Sequence, residues 1–220
     1  MIREGFSAQY RKVGRFAAWT GFGIMQVYSV VSGLAFLSLK GPYDAVEEPY
    51  LPVMALLTIL LSAVMVVTLI AVHAYAAPEH RVYSFMALAF AILLAGITSS
   101  VNFAVFVVSR QAIEASAPWH SVFLPYRWPT MAYAMDLFAW DWFYSLAVLS
   151  AAVVFTKGPL ERLTRIVMVL SGWLSLIGLT AMPFAPTVGI GFSIVGWGVC
   201  GSLVLLLWAI VFGRTPAVNG

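Results

Sequence analysis

The chain has 220 residues, 62% of them hydrophobic and only 10% charged, with a formal net charge of +3. Soluble domains are about half apolar and about 25% charged, so this balance excludes a water-solvated globule. A mean hydropathy of +0.93 makes lipid the main solvent, and one cysteine, Cys200, excludes an intrachain disulfide or a cysteine metal cluster.

A bilayer core of about 30 Å needs about 20 apolar residues per helix. Six blocks reach or approach that length, at 16–39, 52–75, 83–108, 131–155, 166–182 and 188–212. They predict an all-α polytopic bundle of six transmembrane helices. A membrane barrel would need alternating segments of about ten residues, a pattern foreign to these blocks.

Residues 1–15 place Ile2, Phe6, Tyr10 and Val13 at i, i+4, i+8 and i+11, with Arg3, Arg11, Lys12 and Arg15 elsewhere. Two readings fit: a basic amphipathic segment lying on an anionic membrane surface, or a basic terminus that only sets topology. The apolar run that follows exceeds the 7–15 residues of a signal-peptide h-region, so it is read as an anchor. Gln26 falls about 15 Å into this first span, and Gly23 and Gly33 on its stripe are expected to pack. A short acidic loop holds Asp44, Glu47 and Glu48. His73 ends the second span, and with Glu79 and His80 across Pro78 it does not make a metal-ligand spacing. The third span carries Asn102 about 9 Å from its outer end, beside Thr98, Ser99 and Ser100.

The loop 109–130 is long and carries Trp119, Phe123, Tyr126 and Trp128 with Arg110 and Arg127. Loops of this length act as lids or binding loops, and aromatics of this kind also anchor at the membrane interface. The fourth span, "MAYAMDLFAWDWFYSLAVLSAAVVF", holds Asp136 and Asp141, about 8 and 15 Å deep. A carboxylate at the midplane costs about 2.5–3.5 kcal/mol on an insertion scale, and intramembrane ionisable residues are functional candidates by default. Five helical residues turn about 140°, so the aspartates are expected to flank a wedge containing Phe138 and Tyr144 rather than share one narrow face. Asp136, Asp141, Asn102, Gln26, Arg127, Trp140 and Tyr144 are therefore the candidate ligand-binding residues of a polar pocket in the outer half of the bundle. Trp142 is expected to help wall it, and Arg127 to reach Asp136. The competing reading is a structural hydrogen-bond knot between helices. In the fifth span Ser171, Ser175 and Gly178 share a face, as do Gly189, Ser193, Gly196 and Cys200 in the sixth, which predicts close helix contact. Residues 213–220 form a tail.

With the N-terminus inside, nine Lys and Arg fall on inner segments and three on outer ones. This positive-inside bias places both termini in the cytoplasm and accounts for the net charge without a nucleic-acid partner. "YSVVSGLAFLSLKGP" (28–42) and "YSLAVLSAAVVFTKGP" (144–159) echo each other, as the inverted repeats of secondary transporters do.

GxSxG, HExxH and Walker A motifs are missing, and no lysine lies within a predicted span to carry retinal. The expectation names no catalytic residue, metal or cofactor. The stretches "FTKGPLERLTRIVMVLSGWLSLIGL" (155–179) and "RKVGRFAAWTGFGI" (11–24) resemble uncharacterised bacterial six-helix integral membrane proteins, over about a third of the chain. That resemblance implies a fold and supplies no site residues.

The reading that follows is a multi-pass protein of a bacterial inner membrane that binds or translocates a small ligand or ion through the outer pocket. Alternatives are a non-catalytic accessory subunit of a larger membrane complex, or an intramembrane enzyme acting on a lipid-soluble substrate. The expected partners are the lipid bilayer, a small ligand or ion, and another membrane protein or a second copy of the chain.

Overall fold

A computed structural model describes residues 6–41, 44–46, 48–111, 120–123 and 125–216, all-helical in their regular structure. Residues 112–119 of the long loop, including Trp119, lie outside the described residues, as do Arg3, Glu47, the end of the tail and the side chain of Arg110.

Six helices carry the fold: α1 (Ala8–Ser38), α2 (Tyr50–Tyr75), α3 (Arg81–Gln111), α4 (131–152), α5 (Gly158–Ala181) and α6 (Pro186–Arg214). Local chemistry sets their ends. The Ser7 side chain accepts the Tyr10 N–H and caps α1. A 3-10 turn at Pro78–His80 leads into α3. At the start of α5, Gly158 takes φ 77°, a conformation that favours glycine. Glu161 then accepts the Thr156 and Lys157 N–H groups at 2.8 Å each, satisfying donors that the first turn leaves free. Pro186 opens α6 with no N–H to lose.

Every helix except α4 is long and apolar enough to cross a membrane, and the chain is a multi-pass helical membrane protein. α4 runs through 131–152 as two α-helical pieces, Met131–Phe138 and Tyr144–Ala152, joined by a π-helical turn at Ala139–Phe143. A second π turn, Ile194–Cys200, interrupts α6.

The helices exceed the apolar blocks at their charged ends. α1 begins at Ala8, so Arg11, Lys12 and Arg15 of the basic stretch lie in its first turns. α5 begins at Gly158 rather than 166, taking in Arg162 and Arg165. Hydropathy marks the part of a helix that fits in hydrocarbon, whereas hydrogen bonding continues past it.

Each helix packs on its chain neighbours, and α6 returns to α1, so the six form a ring in chain order. The ring closes tightly at the end that holds both described chain ends. There Phe6 is fully buried against Tyr75 and Phe212, and Arg11 donates to the Thr215 carbonyl at 3.4 Å. Tyr75 O–H donates to Glu161 at 2.5 Å. We call this the basic end, since Arg81, Lys157, Arg162, Arg165 and Arg214 also start or finish helices there.

Glycines set the tight crossings. A Cβ on Gly14 would meet Ala71 Cβ at 2.3 Å, and one on Gly196 would meet Ser175 Oγ and N at 2.4 and 2.5 Å. Gly178 and Gly189 fit the same α5–α6 seam. The two small-residue stripes thus face each other within the chain. Gly23 and Gly33 do not pack as expected: each has open space around its Cβ position.

Candidate ligand cavity

At the end opposite the basic one, α1 and α6 separate. They touch through Gly14 and Phe212, then Gly21 and Leu205, and Gln26 donates to Ser202 Oγ at 2.6 Å. Beyond that bond lies a cavity of about 810 Å³ between the far halves of α1, α4 and α6, under residues 125–128. Its size suits a drug-sized molecule. Tyr28 of α1, Tyr133 and Trp140 of α4 and Trp197 of α6 supply aromatic wall; Lys40, Asp44 and Arg127 stand near its mouth.

Asp136 lies in that wall, 5% exposed. Three donors from two other parts of the chain converge on it. Tyr126 O–H donates to Oδ2 at 2.5 Å, Asn102 Nδ2 to Oδ1 at 2.9 Å, and Thr98 Oγ1 to Oδ1 at 3.4 Å. An acceptor-only carboxylate fits such a donor set. Burial, and then the Asp136 charge, hold the Tyr126 phenol well above its ordinary range, so at neutral pH it keeps the proton it donates. The loop group on Asp136 is thus Tyr126; the neighbouring Arg127 is exposed and lines the mouth.

Asp141 is completely buried. Its Oδ2 accepts from Ser193 Oγ at 2.6 Å, and Ser193 itself lines the cavity. Among the described residues Oδ1 has no hydrogen-bond partner, and neither have the buried indole N–H groups of Trp140 and Trp197. Those two indoles pack at 5.2 Å between centroids, each on one of the two π turns. π turns are rare and occur mostly at functional sites. Here two of them face each other across the floor of one cavity.

The expectation that the aspartates flank a wedge assumed regular α-helical rotation. In the π turn, Tyr144 N–H bonds to the Ala139 carbonyl, five residues back, and a wider turn rotates less per residue. Both aspartates therefore turn into the bundle. Phe138 and Trp142 instead stack on one another at 6.2 Å on the exposed side of α4, so neither walls the pocket.

The other candidates separate. Asn102 and Trp140 belong to the site. Gln26 sits below it, tied to Ser202. Tyr144 lies in the seam of α4, α5 and α6, its hydroxyl 2.7 Å from Ser171 Oγ, which donates to the Gly196 carbonyl. Tyr126, Thr98 and Ser193 complete the network and were not singled out as binding residues. Only the Ser193 position on a small-residue stripe and the Thr98 neighbourhood of Asn102 hinted at them.

No family model, curated protein or solved structure matches this chain.

The site's chemistry comes from carboxylates, hydroxyls and indoles. Among the described residues no group of three His, Cys, Asp or Glu side chains could hold a metal ion. His73 Nδ1 is instead 2.9 Å from Ser84 Oγ.

Proposed function

We propose that this is a six-span protein of a bacterial inner membrane, both termini cytoplasmic, that binds a small ligand in the outer cavity and passes it into or across the membrane. The observation that carries this reading is the cavity of about 810 Å³ lined by Asp136, Trp140 and Trp197, with Asp141 fully buried behind the lining residue Ser193. A structural knot would use up its polar atoms, as the Asp136 network does. Among the described residues Asp141 Oδ1 and the two indoles are unspent, and unspent buried polar groups are costly unless something else meets them. The basic end supplies the cytoplasmic side by the positive-inside bias. An accessory subunit docking through its small-residue faces has less support, because those faces pack against each other within the chain.

Native mass spectrometry from mild detergent tests the reading. The wild-type protein should carry a reproducible small-molecule adduct. Gly33→Trp fills the cavity from a position with open space around it, and should lose that adduct while keeping its fold. Identical spectra from both proteins would defeat the proposal.

A further inference from the structure

Resting on the ligand-binding reading above, we infer that the ligand is a lipophilic organic cation that enters sideways from the outer leaflet, between the outer halves of α1 and α6.

The entry route comes from the open ring. The α1 and α6 backbones hold together from Gly14 to Gln26 and part beyond it, where the Tyr28 and Trp197 rings still meet at 5.7 Å between centroids and Gly33 and Gly198 lie further out. Gly33 and Phe36 on one helix, and Ile194 and Val199 on the other, line the cavity and are also exposed on the surface. The cavity therefore opens on the flank of the bundle, where the neighbouring phase is acyl chain. Gly33 presents no side chain to the gap, and Gly198 opposite meets only the Ile194 side chain, at 3.9 Å. A wall of this kind admits an apolar molecule already dissolved in lipid and offers little to a hydrated one.

The charge comes from the floor. Asp136 lines it and Asp141 lies directly behind it, and every partner seen on either among the described residues is a neutral hydroxyl or amide. The cationic side chains lining the cavity, Lys40 and Arg127, are both exposed. A floor with buried carboxylates and only neutral partners is complementary to a positive charge. Aromatic rings lining the same cavity attract a desolvated cation further. An anion would meet the opposite field, and a neutral molecule would leave the negative charge of the site without a counter-charge. Asp136 lines the cavity directly, while Asp141 stands behind Ser193, its other oxygen buried without a hydrogen-bond partner among the described residues.

The test uses protein in nanodiscs of zwitterionic phosphatidylcholine, with radiolabelled tetraphenylphosphonium and tetraphenylborate as probes of equal shape and opposite charge. Binding is read as the saturable part above that of empty nanodiscs. Tetraphenylphosphonium should bind saturably and tetraphenylborate should not. Asp141→Asn, nearly isosteric, should weaken the cation at least tenfold with an unchanged circular dichroism spectrum. Gly33→Leu, in open space, should slow its association at least tenfold. Equal binding of both probes, or cation binding unaffected by Asp141→Asn, overturns the cationic assignment while leaving the cavity as a binding site. Unchanged association in Gly33→Leu overturns the lateral route. If neither probe binds saturably, the inference falls; wild-type adducts that Gly33→Trp loses would then keep the cavity reading alive on its own.

Discussion

Asp136 and Asp141 sit five residues apart and differ in what their oxygens touch. Asp136 is a tie: through Tyr126 it fixes the segment 125–130 to the bundle, and the Tyr126 carbonyl in turn accepts the Val46 N–H at 3.4 Å. One carboxylate thereby holds two outer segments. Tyr126→Phe removes only the hydroxyl and leaves a buried carboxylate oxygen short of a donor. A hydrogen bond to a charged group is worth about 1.5–3 kcal/mol, and Tm moves about 2–4 °C per kcal/mol in a chain of this size. The variant should melt several degrees lower, with faster hydrogen exchange at 44–46 and 125–130 and little change at the basic end. Exchange matching wild type at both segments would show that the phenol is not the tie. Composition and depth were enough to single out both aspartates and Asn102, because an ionisable or amide group within an apolar block stands out in the sequence. Tyr126 was hidden by its company: among four aromatics of an outer loop, a buried hydrogen-bonded tyrosine reads the same as an interfacial one.

At the scale of the helices, the α5–α6 seam was legible and the π turns were not. Small residues at intervals of three and four predict close approach directly, and Ser175 and Gly196 meet as that pattern requires. Nothing in "AWDWF" or "IVGWGVC" announces an added residue per turn, because both are compatible with a regular helix. The widened turn in α6 coincides with Gly196, Gly198 and Gly201; the Gly201 N–H reaches the Gly196 carbonyl, which also accepts from Ser171. Gly196→Leu should be severe, since its Cβ alone would lie within 2.5 Å of the Ser175 backbone nitrogen. Overpacking typically costs about 1–3 kcal/mol, occasionally more, and a clash with backbone belongs at the upper end. Gly191→Leu is the matched control: same helix, same substitution, and open space around the Cβ. A melting temperature depressed in the first and near wild type in the second is the expected pair. Equal tolerance of both would remove Gly196 from the seam.

For the whole molecule, the proposed six crossings can be compared with where α1 starts and α6 finishes. Phe6 packs against Phe212, and Arg11 bonds to Thr215, so the start of α1 and the end of α6 share one end of the bundle. A chain that returns to its starting side crosses an even number of times. Five helices qualify on length and apolarity. On the six-span proposal α4 is the sixth crossing, although two aspartates and a π turn divide it. Its continuous helical path through 131–152 gives about 33 Å at 1.5 Å per residue, enough for a hydrocarbon core of about 30 Å. Reporter fusions after Gly41, Arg127, Lys157 and Gly213 test this directly. Six spans with a cytoplasmic basic end place Gly41 and Arg127 outside, and Lys157 and Gly213 inside. Failure of α4 to cross would move Lys157 to the side of Arg127 and Gly213 to the side opposite the N-terminus. That result would leave Asp136 and Asp141 out of the membrane, and the cavity they floor would no longer face lipid.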